Sequence, residues 1–432
     1  MALFVVDDDP TGVQGQEDVP LLLAWAPRLI DAALRTRPRA IHVMTNSRAL
    51  DETGAYATVR DAVATVRAAS GDARLILRGD STLRGHLEPE YRATVDGLEL
   101  AGSPPLLLVP ALPAAGRVTI DGLHWLVRHG TRVPIGETEF AADATFGYRS
   151  SRLLDWADER SGGAFAAEAG AELHLEALRG PGGADAVADA LLTAAAIGAP
   201  SVVAPDAETD HDLQIITEGL RRAWRREPGI VVRCSPAFAS ALSGAGATGP
   251  APLPRVERGL LVVVGSHVAM SSAQLAVLAA RHPGSVVEVD AAALTGPYAE
   301  AAVERATAAA RQLLERERLA VVATTREVTG GGLPDGSRVA RGVARIVDAL
   351  RDASDVLVSK GGITSAINVR DGLHAERALV VGPVAPGVSL WHAHTNGGPP
   401  RPVIVFPGNV GDEDTLAGLV DDLMEPVGAD RL

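Results

Sequence analysis

Short apolar runs that break off into small polar or glycine-rich turns, each followed by a helix-length segment, recur along this chain and dictate its class. Residues 2–6 run into Asp7-Asp8-Asp9-Pro10-Thr11-Gly12, 40–44 into Thr45-Asn46-Ser47-Arg48, and 75–77 through Arg78-Gly79 into Asp80-Ser81-Thr82. Further on, 260–264 ends in Gly265-Ser266, 356–358 in Ser359-Lys360-Gly361-Gly362, and 403–406 in Pro407-Gly408-Asn409. Strands that are apolar throughout, rather than alternating, are buried on both faces, which is the pattern of a parallel sheet covered by helices. Ligands of such α/β sheets bind outside the carboxyl ends of the strands, where the polar turns of this chain lie.

The length of 432 residues calls for two domains. The tract SGAGATGPAPLPRV, residues 243–256, reads as the linker between an N-terminal domain, 1–242, and a C-terminal domain, 257–432. The expected fold is two α/β domains, each a mainly parallel sheet flanked by helices, with the active site in the cleft between them. Within the linker, Gly244, Gly246 and Gly249 imitate a dinucleotide fingerprint, but Pro250 and Pro252 follow where a helix is required. A net charge of -14 excludes a nucleic-acid or anionic-membrane partner as the first expectation. The single cysteine, Cys234, offers no disulfide framework and no cysteine-based metal site, and no secretory signal opens the chain, so a cytoplasmic location is expected.

The stretch LILRGDSTLRGHLE, residues 75–88, delivers a carboxylate, hydroxyls, a guanidinium and a glycine to one strand exit. Asp80, Ser81 and Arg84 are therefore candidates for gripping a small polar substrate, and Arg117, beyond the rigid 110–116 loop, could reach a substrate carboxylate. Crowded carboxylates at Asp7-Asp8-Asp9 are costly unless used by a metal, a cationic partner or a general base with a raised pKa. Arg78-Gly79-Asp80 is an adhesion tripeptide in letters only, since it ends a buried strand. A helix is expected over residues 19–35, another over 90–100, and a covering segment carrying Glu137, Glu139 and Asp143 over the same crevice. His124 reads as a structural imidazole. In the C-terminal half, Ser266 at a helix start, the Gly361-Gly362-Ile363-Thr364 turn and the Gly408-Asn409 turn fit a phosphate cradle. The turn at Thr324-Thr325-Arg326 leads to a Gly330-Gly331-Gly332 loop. Lys360 is the only lysine among the 40 basic residues, which suggests a need for a compact ammonium beside those glycines.

Taken together, DDDPTG, RGDSTLRGH, VPALPAAGRVTIDG, ETEF, VVGSHV, SKGGITS and VFPGNVGDED, in this order over nearly the whole chain, resemble the four-carbon acid sugar kinase family. The resemblance implies an ATP-dependent enzyme that phosphorylates a hydroxyl of a small sugar acid such as a four-carbon aldonate or 3-oxo-tetronate. It places the substrate on Asp8, Asp9, Asp80, Ser81 and Arg84, and ATP on Ser266, Gly361 to Thr364 and Gly408. Asp8 and Asp9 would divide the roles of base and Mg²⁺ ligand, with Asp9 the candidate metal ligand. Small-molecule partners are implied, with room for a homodimer. Where the family usually has Asp-Asp-Leu-Thr-Gly, this chain has Pro10 in place of the leucine and Gln14-Gly15-Gln16 after it, which leaves the sugar acid open. Two other readings compete: a non-kinase sugar-acid enzyme (aldolase, epimerase or dehydratase), and a two-lobed sugar-acid sensor.

Overall fold

The computed structural model describes residues 2–71, 73–325, 333–395 and 398–425, and the chain forms two compact units. One comprises the chain up to Gly12 together with Ala24–Gly246, and the other Val13–Leu23 together with the chain from Ala247 onward.

Seven strands of the first unit run parallel in the order Ala171–Leu173, Val202–Pro205, Leu106–Val109, Val231–Cys234, Arg74–Arg78, Leu3–Asp7 and Ala40–Met44. The central ones are buried on both faces, as their unbroken apolar sequences require. Helices such as Glu52–Ala69, started by Asp51 accepting from the Gly54 amide, and Asp210–Trp224, started by a Thr209/Asp212 capping box, provide the crossovers. Residues 117–134, where the sequence pattern assigns no element, form a separate antiparallel sheet of Arg117–Ile120, Leu123–Arg128 and Thr131–Pro134. The helix expected over 90–100 starts earlier and spans Leu87–Leu98.

The second unit continues five parallel strands, in the order Val286–Val289, Leu319–Thr324, Leu260–Val264, Val356–Lys360 and Arg401–Phe406, into an antiparallel set. That set is Val388–Thr395, Ala375–Ala385 and Val19–Leu22. Residues 19–35 are thus not one helix. Val19–Leu22 is a strand paired with Ala375–Ala385, and only Pro27–Arg35 is helical. Pro27 marks the division, because it suits a first helical turn and the helix begins there. The Gly330-Gly331-Gly332 loop and Arg326 lie outside the described residues.

Candidate active site

In the first unit the strand exits of Leu3–Asp7, Ala40–Met44 and Arg74–Arg78 are neighbours, because register pairs Asp7 with both Met44 and Arg78. Their turns interlock through charge. Arg48 grips Asp8 with Nη2 at 2.7 Å from Oδ1 and Nε at 3.0 Å from Oδ2, and Arg78 Nη1 adds a contact at 3.0 Å to Oδ1. Arg78 Nε also donates to Asp7 at 2.8 Å, and the His42 ring lies 2.5 Å from the other Asp7 oxygen, so Asp7 is fully buried and spent on structure. Gly12 is dictated by this packing, because a Cβ there would fall 2.2 Å from both Arg78 Nε and Asp7 Oδ1.

The carboxylates that follow part ways. Burial pushes the Asp8 carboxyl up to about 6, although Arg48 and Arg78 pull against it. Burial pushes Asp9 the same way, but Arg48, Arg78 and the Thr11 hydrogen bonds outweigh it and hold the group below the ordinary range. Of the three, Asp9 is the most open to solvent. Asp8 Oδ2 receives hydrogen bonds only from Arg48 among the described residues, leaving acceptor capacity for a substrate hydroxyl.

Asp80 accepts from Arg84 Nε at 2.7 Å and from the Thr82 hydroxyl. Burial would raise its pKa, yet Arg48 and Arg84 hold it well below the usual carboxylate range. Burial likewise works against the Arg84 charge, but Asp80 outweighs it and keeps the guanidinium firmly protonated. Arg117 is the contrast, since burial lowers its pKa, its Nε has no hydrogen-bond partner, and no carboxylate pairs with it among the described residues. Arg84 and Arg117 both lie over the Phe140 ring, at 5.3 Å and 5.8 Å from its centroid. Arg128 stands over the same ring at 5.8 Å but is paired with Glu139, so of the three guanidiniums Arg84 and Arg117 are the candidates for holding an anionic group.

Ser81 contributes its backbone, its carbonyl lying 2.9 Å from His124 Nε2, while Nδ1 lies 3.0 Å from the Thr119 hydroxyl. Burial depresses His124 to about 4, so the imidazole is neutral and ties the 80–84 turn to the small sheet, as its sequence reading held. A second buried ion pair, Arg233 with Glu90, and the Ser47 hydroxyl at 2.6 Å from Glu90 underpin the turns from below. Arg48 and Arg78 are the residues that sequence reasoning left out of the site. Arg78 ends one mostly apolar strand and Arg48 stands in the turn that follows another, and that placement was the signal available for them.

In the second unit, Val264 pairs with Lys360 and Lys360 with Phe406, so the Gly265, Gly361 and Gly408 turns stand side by side. Close approach explains the glycines. A Cβ on Gly265 would lie 2.5 Å from Thr364 Oγ1, one on Gly408 2.3 Å from Ser266 Oγ, and Gly361 holds φ +118 with Ser266 3.2 Å from a Cβ. Ser266, Gly361, Gly362, Thr364 and Gly408 thus converge, with Asn409 exposed at the rim. Ile363 offers only its backbone, because its side chain packs on Ala340, Ala344 and Ile367. Lys360 does not project from the cradle. Its ammonium is fully buried, donates to the Pro407 carbonyl at 3.0 Å and sits 3.8 Å from the Phe406 centroid, and burial brings it down to about 7.

Three potential metal ligands converge, among the described residues, only at Asp121, His174 and Asp206. There the Asp206 carboxylate already accepts from the amides of Asp121, Gly122 and Leu175, which makes it a tie between turns. No helix of the described residues is long and apolar enough to cross a membrane.

A parallel-sheet unit with clustered charges at its strand exits, and a second unit with glycine turns at its own, define a two-unit α/β protein with a candidate small-molecule site in each unit. Residues 3–242 match the family described as Sugar-binding N-terminal domain, and residues 261–416 match Nucleotide-binding C-terminal domain. The chain belongs to the four-carbon acid sugar kinase family. It is 28% identical to D-erythronate kinase of Heliobacterium modesticaldum over 90% of this chain and 88% of that one. To D-threonate kinase of Salmonella typhimurium it is 26% identical over 96% and 97%. A crystal structure of a Haemophilus influenzae protein shares its fold, with a TM-score of 0.64 at 17% identity over 98% of this chain and 100% of that one.

Proposed function

We propose that this protein transfers a phosphoryl group from ATP to a hydroxyl of a small sugar acid, with the four-carbon acids of its relatives as the first candidates. The observation that carries this reading is the pairing of a buried carboxyl raised to about 6, Asp8, with a two-arginine receptor on the same unit. Arg117, with charge to spare, and Arg84 receive the substrate carboxylate across the Phe140 plate. Asp80, Asp9 and the turn at Ser81 would contact hydroxyls of the acid. Asp8 accepts the proton of the attacking hydroxyl, and Arg48 keeps that carboxylate in place and anionic near neutral pH.

The nucleotide fits the second unit's cradle, where backbone amides of Gly361 to Thr364, the Ser266 and Thr364 hydroxyls and the Gly408-Asn409 turn would hold phosphates. Lys360 lends positive charge from beneath the cradle rather than by direct grip. A magnesium ion suits Asp9, the solvent-reachable carboxylate of the acidic turn that stays ionised, and would neutralise phosphate charge there. Phosphoryl transfer further requires that the two half-sites meet in one cleft with water excluded. A lyase, an epimerase or a sensor would leave the glycine cradle without a task. The test is ADP release by the purified protein with ATP, Mg²⁺ and a panel of four- to six-carbon sugar acids. Turnover confined to sugar acids supports the reading, and ATP-independent consumption of the acid would refute it.

A further inference from the structure

A second concavity, of about 470 Å³, opens in the first unit and is lined by Leu3, Arg39, Arg74, Arg221, Trp224, Arg225, Leu242 and Ser243. Leu3 and Arg74 begin their strands and Arg39 directly precedes one, so the pocket lies at the amino edge of the sheet. The acidic turn lies at the carboxyl edge. Five residues of strand at about 3.3 Å each separate the two by roughly 15 Å, so one small molecule cannot touch both.

Four arginines share this hollow in a protein of net charge -14, and no carboxylate pairs with any of them among the described residues. The neighbouring Arg222, on the same helix, shows the usual arrangement, paired with both Asp185 and Glu218. Within the pocket the guanidiniums are held by neutral carbonyls instead. Arg74 donates to Trp224 O at 3.1 Å and Pro228 O at 3.2 Å, Arg221 to Leu242 O at 2.9 Å, and Arg39 to Gly244 O. Arg74 is also stacked 5.4 Å from the Trp224 ring centroid. These carbonyls close the ends of the Asp210–Trp224 and Pro236–Ser243 helices, so a purely structural part accounts for three of the arginines. Arg225 makes no such bond among the described residues, and a structural part does not explain why four arginines line one hollow with no carboxylate partner among those residues. A carbonyl fixes a guanidinium without neutralising it, and most of its five N–H groups remain for a ligand. Fixed, unneutralised guanidiniums in a concavity are the chemistry of a phosphate receptor, with much of the ordering cost met before binding.

We propose that this arginine pocket is a second ligand site, separate from the candidate active site, that binds a small phosphorylated anion. Leu3, Leu242 and the edge of Trp224 give it an apolar flank suited to an organic phosphate, while the shared chemistry also admits inorganic pyrophosphate.

The test is calorimetric titration of the full chain at low ionic strength with two probes, inorganic pyrophosphate and 3-phosphoglycerate. Wild type is compared with R221A/R225A, whose two positions are exposed, and with the charge-retaining R221K/R225K. The double alanine variant is expected to weaken binding by roughly tenfold to a hundredfold for the pocket event, with the lysine pair in between. The probe that binds wild type more tightly identifies the source, organic or inorganic. Equal affinity of wild type and R221A/R225A for both probes would overturn the proposal, as would absence of binding to wild type at millimolar concentration. Independently of any variant, pyrophosphate is expected to slow phenylglyoxal modification of Arg221 and Arg225 in wild type several-fold, read by peptide mass, and lack of protection would also overturn it.

Discussion

The clearest consequence of the Asp8–Arg48 pair is a pH profile that moves when Arg48 is removed. With a carboxyl near 6 acting as base, kcat/KM rises with pH as Asp8 loses its proton, and levels off above about pH 7. Below pH 6 each unit of acid should cost about tenfold in rate, because only the ionised fraction accepts the hydroxyl proton. Arg48 is the strongest of the charges that favour ionised Asp8, so Arg48→Met should raise the Asp8 pKa and shift the acid limb to higher pH. At about 4 Å and an effective dielectric near 20, the attraction is worth roughly 4 kcal/mol. That corresponds to about three pKa units as an upper bound. Arg48 is 16% exposed, and water entering its place would return part of this, so a shift of about one to two units is expected. The assay is coupled ADP release from pH 5 to 9, with thermal unfolding at each pH to exclude loss of fold. An acid limb at the same pH in wild type and Arg48→Met would refute the assignment of Asp8 as the titrating base.

Three further outcomes follow from the geometry. Arg84→Met and Arg117→Met should each raise KM for the sugar acid about tenfold or more while leaving KM for ATP within about twofold, and equal loss of both affinities would contradict the division of labour. Folded Lys360, near 7 against its ordinary 10.5, binds fewer protons than the unfolded chain between those values, so its contribution to stability should rise by about 2 kcal/mol from pH 7 to 9. Lys360→Met should flatten that slope in denaturant unfolding, and Lys360→Arg should fail to restore wild-type ATP affinity because a wider guanidinium does not fit beneath Pro407. Gly12→Ala should cost about 3 kcal/mol or more by wedging the buried Arg78–Asp7 pair apart, whereas Gly15→Ala, with no heavy atom within 4 Å of the added methyl, should be near neutral.

The parallel core was legible because its strands are apolar on both faces and end abruptly in polar turns. Ala40–Met44 and Leu260–Val264 lie where the sequence pattern places them. Val19–Leu22 was not legible, because an apolar run between two prolines satisfies helix and strand equally. What decides it is a partner in Ala375–Ala385, more than 350 residues later in the chain. The small 117–134 sheet escaped notice for a related reason, its half-exposed strands carrying mixed polarity. Within the candidate site, the acidic turn and the 80–84 loop could be read from residue type and position alone. The different fates of Asp7, Asp8 and Asp9 could not, since they depend on which guanidinium from another strand reaches each carboxylate. Lys360 shows the opposite limit: its singularity in composition was visible, but its burial under Pro407 and against Phe406 was not.

The most direct measurement of the central claim is phosphorus NMR of wild type and Asp8→Asn incubated with ATP, Mg²⁺ and a four-carbon sugar acid. The account predicts a new phosphate-monoester resonance growing in step with ADP in wild type, and growth slowed by roughly 10²- to 10⁴-fold in Asp8→Asn with the fold retained. An ester forming at the same rate in both proteins, or ADP accumulating as free phosphate with no ester in either, would contradict it.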